Sequence, residues 1–237
     1  MTQLLKELGP VRKSYHPEEP FVRLQRDGIW EIDPVADMPS PNDRRLLQAE
    51  VTGGFTDEVL RLLQADRMLV FELATILLEG HFAETLHEDI LQRVGLDSVV
   101  YRKKPRDPRF RERILIAYEY CCAVCGFNVR LGHELVAVEA AHIQWHQSGG
   151  PDREENGIAL CSLHHKLFDR RVFTISPERQ LLVAETANGT QGFYDWLMRY
   201  HGTVIRSPIR PEYVAGENFL HWHMREVFRG PARYVIG

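Results

Sequence analysis

Hydrophobic and polar positions along the chain change period several times, and each change marks an element. Residues 21–25 and 29–32 are β-prone runs separated by Arg26, Asp27 and Gly28, a turn-forming trio, which predicts a hairpin. Residues 33–43 carry three prolines and read as a loop. Three helical patterns follow. The first covers 57–64 with Thr56 as its N-cap. The second, 66–79, is apolar on most sides and is therefore expected to be buried. The third opens at Thr85 and Glu88, spaced as a capping box, and stops near Gly95. The second half predicts a helix over 110–120, a strand over 135–143 and a loop around Gly149, Gly150 and Pro151. A helix over 162–169, a hairpin of 172–176 and 181–185, and helices near 192–200 and 216–228 complete it. This mixture predicts an α+β fold in two parts: a small domain over 1–100 and a larger one over 110–237, joined by a linker at 101–109.

Composition narrows the class. With 237 residues, 44% hydrophobic and 26% charged, the chain is neither disordered nor collagen-like. Its best apolar stretch, 68–78, is interrupted by Glu72 and is about half of the ~20 residues a membrane span requires. The first ten residues lack the cationic, apolar and small-residue zones of a signal peptide, so a cytoplasmic protein with no membrane partner is expected. The formal charge of −4 conceals a segregation: net −9 over 31–98, net +5 over 102–113 and net +3 from Arg199 onward. Pro105 and Pro108 predict that the basic segment begins as extended chain. Its Arg102, Lys103 and Lys104 suit a DNA backbone, where cationic side chains displace counterions; a solvated linker is the plainer alternative.

The cysteines carry the sharpest signal. Cys122 and Cys125 are separated by two residues, as are Cys161 and His164, with 35 residues between the pairs. Two such knuckles place four ligands on one tetrahedral zinc, and a Cys3His set with no open position is structural rather than catalytic. Cys121 is out of register and is expected to be a packed neighbour. A second set lies among these ligands: His142 at the end of a strand, Asn156 in an Asn-Gly pair, and His165 directly after His164. Singly each has a bland explanation. Together they surround one zinc knuckle pair.

The segment AHIQWHQSGGPDREENGIALCSLHHKLFD (141–169), with CAVC (122–125) before it, closely resembles the HNH, or ββα-metal, nuclease module. The resemblance covers about 110–185 and implies a metal-dependent DNA endonuclease. It makes His142 the general base that takes a proton from water, and His165 a ligand of a catalytic divalent cation such as Mg²⁺ or Mn²⁺. It gives Asn156 the role of fixing the loop that orients the base. The products it implies are 5′-phosphate and 3′-hydroxyl ends. One departure stands out. Many such modules have Asp or His just before the general base as a second metal ligand, and here the residue is Ala141. Strand alternation puts Glu139 on the same face, so Glu139 is the candidate oxygen ligand.

The stretches SYHPEEPF (14–21), RLQ (23–25) and GIW (28–30) resemble the sulfur-binding domain of McrA-like type IV restriction endonucleases. YHG (200–202), FLHWH (219–223) and REVFRGPAR (225–233) resemble the tail of that family. The resemblance implies double-stranded, phosphorothioate-modified DNA as the partner. An apolar cup of Tyr15, Pro17 and Pro20 would favour weakly hydrated sulfur over oxygen, with His16 or Arg23 meeting the charge. Such domains carry a helical stretch with a basic element before this motif, and this sequence opens too near the motif to hold one. Trp145 and His146, after the base, are candidates for minor-groove contact or for packing. The rival readings are a zinc-stapled DNA-binding module without activity and an HNH enzyme acting on other DNA. One nuclease site per chain favours a homodimer for double-strand cutting.

Overall fold

The computed structural model describes residues 12–16, 18–33, 46, 48–96 and 108–234. Pro17, Arg102, Lys103 and Lys104 and most of the expected linker lie outside these residues. The chain divides into two compact units, 1–76 and 77–237.

In the first unit the expected hairpin is replaced. Residues Glu18–Arg23 form helix α1, and Leu24–Asp27 continue it as a 3-10 turn. Glu18 and Glu19 sit in the first turn, where the helix dipole favours negative charge, and Arg23 pairs with Glu19 one turn on. Pro20 is harmless so near the helix start. These local terms outweigh the β-propensity of Phe21 and Val22. Gly28 still makes the turn, at φ +71°. Strand β1 (Trp30–Asp33) then pairs antiparallel with β2 (Thr52–Phe55), from Trp30 opposite Phe55 to Asp33 opposite Thr52. Phe21, Trp30 and Phe55 form an edge-to-face aromatic row, with centroids 5.8 and 5.7 Å apart. Gly53 makes room for it, since a Cβ there would lie 2.8 Å from the Phe21 ring.

Helix α2 (Asp57–Ala65) begins as expected, with the Thr56 hydroxyl accepting from the Val59 N–H. Helix α3 (Arg67–His81) has the expected span but not the expected burial: Leu78 is buried, while Met68, Leu73, Ile76 and Leu77 are exposed. An apolar sequence all round specifies burial only where enough chain surrounds it. Helix α4 (His87–Arg93) follows a 3-10 turn at Glu84–Leu86. The expected capping box is not made: Thr85 lies inside the 3-10 turn rather than at the helix N-cap, and its hydroxyl donates to Asp169.

The second unit holds the main core. Helix α5 (Pro108–Ala117) packs Phe110, Ile114 and Leu115 against a two-stranded sheet. The single strand expected over 135–143 is broken by Ala137, whose φ is +57°. A short ribbon of β3 (Arg130–Leu131) and β4 (Glu134–Leu135) precedes the break, and β5 (Val138–His142) follows it. Strand β5 pairs antiparallel with β6 (Gly157–Cys161), from Val138 opposite Cys161 to His142 opposite Gly157. Helix α6 (Ser162–Asp169) leaves β6 without a loop and packs back on the pair. Gly157 is required there: a Cβ would meet the Ile114 side chain at 2.2 Å. The hairpin of β7 (Phe173–Ile175) and β8 (Leu181–Val183) is as expected. Helix α7 (Gln191–Trp196) and helix α8 (Glu217–Trp222), the latter running into a π-turn at His223–Val227, complete the unit. No helix among the described residues is long and apolar enough to cross a membrane.

Candidate nuclease and metal centres

The four knuckle residues converge. Cys122 and Cys125 lie in the turn after α5, closed by the Gly126 N–H donating to the Cys122 carbonyl, with Gly126 at φ +74°. Cys161 ends β6 and His164 lies in the first turn of α6. Their ligand atoms all fall within 4.8 Å of one another. The Cys161 Sγ to His164 Nδ1 separation is 3.1 Å, Cys122 Sγ to the same nitrogen is 3.7 Å, and Cys125 to Cys161 is 4.0 Å between sulfurs. A tetrahedron with Zn–S of ~2.3 Å and Zn–N of ~2.0 Å has edges of roughly 3.5–3.8 Å, so the four atoms fit zinc. His164 Nε2 stands 2.8 Å from the Trp196 carbonyl, which can only accept. That fixes a proton on Nε2 and turns Nδ1 toward the sulfurs, so that Nδ1 is the nitrogen that would ligate once its own proton is displaced. Hydrogen bonds from Cys125 and then Cys161 drive the Cys122 thiol well below its ordinary pKa. Burial opposes the charged form of His164, but the sulfurs of Cys122 and Cys125 outweigh it and raise the imidazole to about 9. Cys121 stands apart, its thiol turned to the Glu119 carbonyl.

The second centre lies at the other end of the β5–β6 pair. His142 closes β5, its ring stacked on Phe110 at 4.1 Å between centroids. Its Nε2 is 2.7 Å from Asp152 Oδ1. Asp152 is itself placed by Arg113, which donates to the Asp152 carbonyl at 2.8 Å and pairs with Glu154. Asn156 is fully buried and ties the intervening loop shut: its Oδ1 accepts from the Gln144 N–H at 2.8 Å, and its Nδ2 donates to the Gln144 and Pro151 carbonyls at 3.0 Å. Asn156 thus holds the chain on both sides of the loop.

His165 sits in α6 between two carboxylates. Nδ1 is 2.6 Å from Glu139 Oε2, and Nε2 is 3.3 Å from Asp169 Oδ2. The other Glu139 oxygen accepts from the Ser162 hydroxyl at 2.7 Å. Asp169 accepts from the Trp145 indole at 3.1 Å and from Thr85. His142, His146, His165 and Asp169 line one cleft, with Ala83, Trp145 and Gln147. The structure therefore brings the two named histidines to a common space and puts Asn156 behind it. Ala141 is buried opposite Ile158 and supplies no donor. A histidine flanked by carboxylates fits a divalent cation through its donor set.

Asp152 and Asp169 are not among the residues the sequence points to, and Thr85 is read from it only as a helix cap. Asp169 had a readable signal, four residues after His165 on a helix. Asp152 lies in an irregular loop and Thr85 is 84 residues away from its partner, so neither had one.

The residues expected in the sulfur pocket are on α1 and the turn before it. Tyr15 is half-buried, while His16 and Pro20 are exposed. The His16 ring lies between the Ser14 hydroxyl at 2.8 Å and the Glu18 carboxylate at 2.9 Å, and Arg23 is paired with Glu19. Both cationic candidates therefore carry an acidic neighbour.

Residues 1–99 match the family described as "ScoMcrA-like, DNA sulfur-binding domain", and residues 122–176 match "HNH endonuclease". No curated protein matches the chain. Among solved structures it is similar to one titled "Modification dependent TagI restriction endonuclease", at 22% identity and a TM-score of 0.36. That alignment covers 54% of this chain and 40% of the other, so the chain spans about two fifths of that protein's length.

Proposed function

From a chain that joins a ScoMcrA-like DNA sulfur-binding domain to an HNH endonuclease domain, we propose a metal-dependent restriction endonuclease that cuts double-stranded DNA carrying phosphorothioates. The observation that carries this reading is the common cleft of His142 and His165 on a ββα frame whose Cys3His group could hold zinc. We assign recognition to 1–100, backbone attraction to the basic segment with Arg102, Lys103 and Lys104, and hydrolysis to 110–237. Tyr15, Pro17 and Pro20 would form the sulfur-facing surface, and His16 and Arg23 the polar edge. The reduced thiols of the zinc knuckle suit action in the cytoplasm.

The chemistry follows from the side chains. With Nε2–H donated to Asp152, the lone pair of His142 resides on Nδ1, which takes the proton of the attacking water. Phe110 beneath the ring and Asn156 behind the loop hold that orientation. His165, with Glu139 and Asp169 beside it, would hold the cation. When bound, a divalent cation there supplies Lewis-acid stabilisation to the phosphate and the departing 3′ oxygen. The Cys3His centre has no open position and keeps the frame folded.

The deciding experiment incubates matched duplexes, with and without a phosphorothioate, with the protein and Mg²⁺ or Mn²⁺, beside a His142→Ala control. Cutting of the sulfur-bearing duplex alone, lost in the variant, is expected. Equal cutting of both removes the sulfur readout and leaves the nuclease. Binding without cutting, for which the donor-less Ala141 is the structural argument, moves the reading to a DNA-binding module.

A further inference from the structure

We propose that Asp169 is the carboxylate ligand of the cation at the nuclease centre, and that Glu139 acts through His165 as its positioning residue. This deepens the reading above and rests on it.

A neutral imidazole has one proton to place between two carboxylates. The Glu139 contact is the short one, at 2.6 Å, and Ser162 fixes the Glu139 carboxylate from behind. The proton therefore belongs on Nδ1, in a charge-assisted bond, as in the carboxylate–histidine pairs that orient metal ligands. The lone pair is then on Nε2, the nitrogen facing Asp169. Nε2 and Oδ2 are 3.3 Å apart, near the roughly 3 Å between adjacent ligands of a cation with bonds of ~2.1 Å.

The cleft decides the side. The cation must share one phosphate with the base, so it must lie in the space that His142 lines. The described lining of that space includes His165 and Asp169 and does not include Glu139. Asp169 is built for the task. It is 3% exposed, on the same helix face as His165, and a buried carboxylate requires compensation. Trp145 and Thr85 each donate to one of its oxygens, which sets its rotamer. A carboxylate has about four acceptor sites, so these bonds leave capacity for a cation. The helix thus supplies the oxygen that Ala141 on the strand does not. Thr85 lies within the segment matched as the sulfur-binding domain, so the last part of that segment helps shape the nuclease centre.

The test titrates Mn²⁺ alone into the zinc-loaded full chain, reading free Mn²⁺ by electron paramagnetic resonance. Asp169→Asn is expected to weaken binding more than about 100-fold, and Glu139→Gln about 10-fold, the lower end of the range for orienting partners. Equal losses, or a larger loss for Glu139→Gln, overturn the assignment. His165→Ala separates the levels. If it binds Mn²⁺ like the parent, the metal-centre reading fails and this proposal with it. If it loses binding while Asp169→Asn keeps it, this proposal alone fails. Should Asp169→Asn lose zinc or fold, crystals of the parent protein soaked in Mn²⁺ decide. An anomalous peak between His165 Nε2 and Asp169 supports the assignment, and one on the Nδ1 side beside Glu139 overturns it.

Discussion

His142 Nε2 and Asp152 Oδ1 are 2.7 Å apart across ten residues of irregular chain. Together with the Phe110 ring, this contact fixes the tautomer and the tilt of the imidazole that the proposed mechanism uses as a base. Asn at this position removes the charge and presents an amide that can donate as well as accept, so the tautomer with its proton on Nε2 is no longer enforced. Asp152→Asn is expected to lower kcat by roughly 10²-fold, within the range for general-base catalysis, with KM and Mn²⁺ affinity little changed. Single-turnover cleavage of the preferred duplex checks it. Loss of KM alone would assign Asp152 to DNA binding.

The two proposed metal centres should separate on chelation. A mild chelator that strips only the nuclease cation is expected to stop cleavage and leave the melting temperature unchanged. Removal of zinc, or Cys161→Ala, is expected to unfold the second unit, because the knuckles join the end of α5 to the start of α6. Zinc binding must displace protons from the thiols and from His164, whose metal-free pKa is about 9, so zinc affinity should fall as pH drops. Zinc content by atomic absorption beside circular dichroism tests both. Cys161→Ala with unchanged zinc and melting would remove the zinc assignment.

Gly150 packs against the Asn156 bridge. A Cβ there would lie 1.9 Å from the Gln144 carbonyl oxygen and 2.9 Å from Asn156 Nδ2. Gly150→Ala must therefore shift main chain rather than a flexible side-chain end. A destabilisation of about 1–3 kcal/mol and a marked loss of cleavage are expected, with zinc content retained. Chemical denaturation and the cleavage assay measure the two parts. Unchanged activity would show that the loop geometry held by Asn156 is not needed by the base.

His223 is fully buried, stacked on Phe168 at 3.7 Å, with Nδ1 2.9 Å from the Thr174 hydroxyl. Burial disfavours its charged form and pushes its pKa down to about 3. The unfolded chain, with an ordinary histidine, binds the proton first. Its contribution to stability is therefore complete above about pH 6.5 and is lost progressively as pH falls toward 3. The slope approaches ~1.4 kcal/mol per pH unit, one proton's worth. His223→Phe keeps the stack and removes the titration, so its stability should fall less steeply between pH 6 and 4. Parallel slopes for the two proteins would contradict this.

The hydrophobic periods located α2, α3, β7, β8 and α6 well, because each is a local pattern. They failed at 21–25, where charge placement in a short segment outweighed β-propensity, and at 135–143, where Ala137 breaks a strand that its sequence does not mark. The apolar face of α3 shows the limit of periodicity. It specifies what a helix offers, and the surrounding chain decides what is covered.

For the site, the sequence pointed to the four knuckle residues that converge and to the two histidines that line one cleft, because both depend on residue types at short, fixed intervals. The tertiary structure alone decided which carboxylate meets which nitrogen. Asp152 reaches His142 through a loop, Thr85 reaches Asp169 from another helix's entry, and Glu139 and Asp169 divide the two faces of His165. A hydrogen bond depends on angstrom-scale placement of atoms far apart in the chain, and that placement is set by packing of the whole core rather than by any local run of residues.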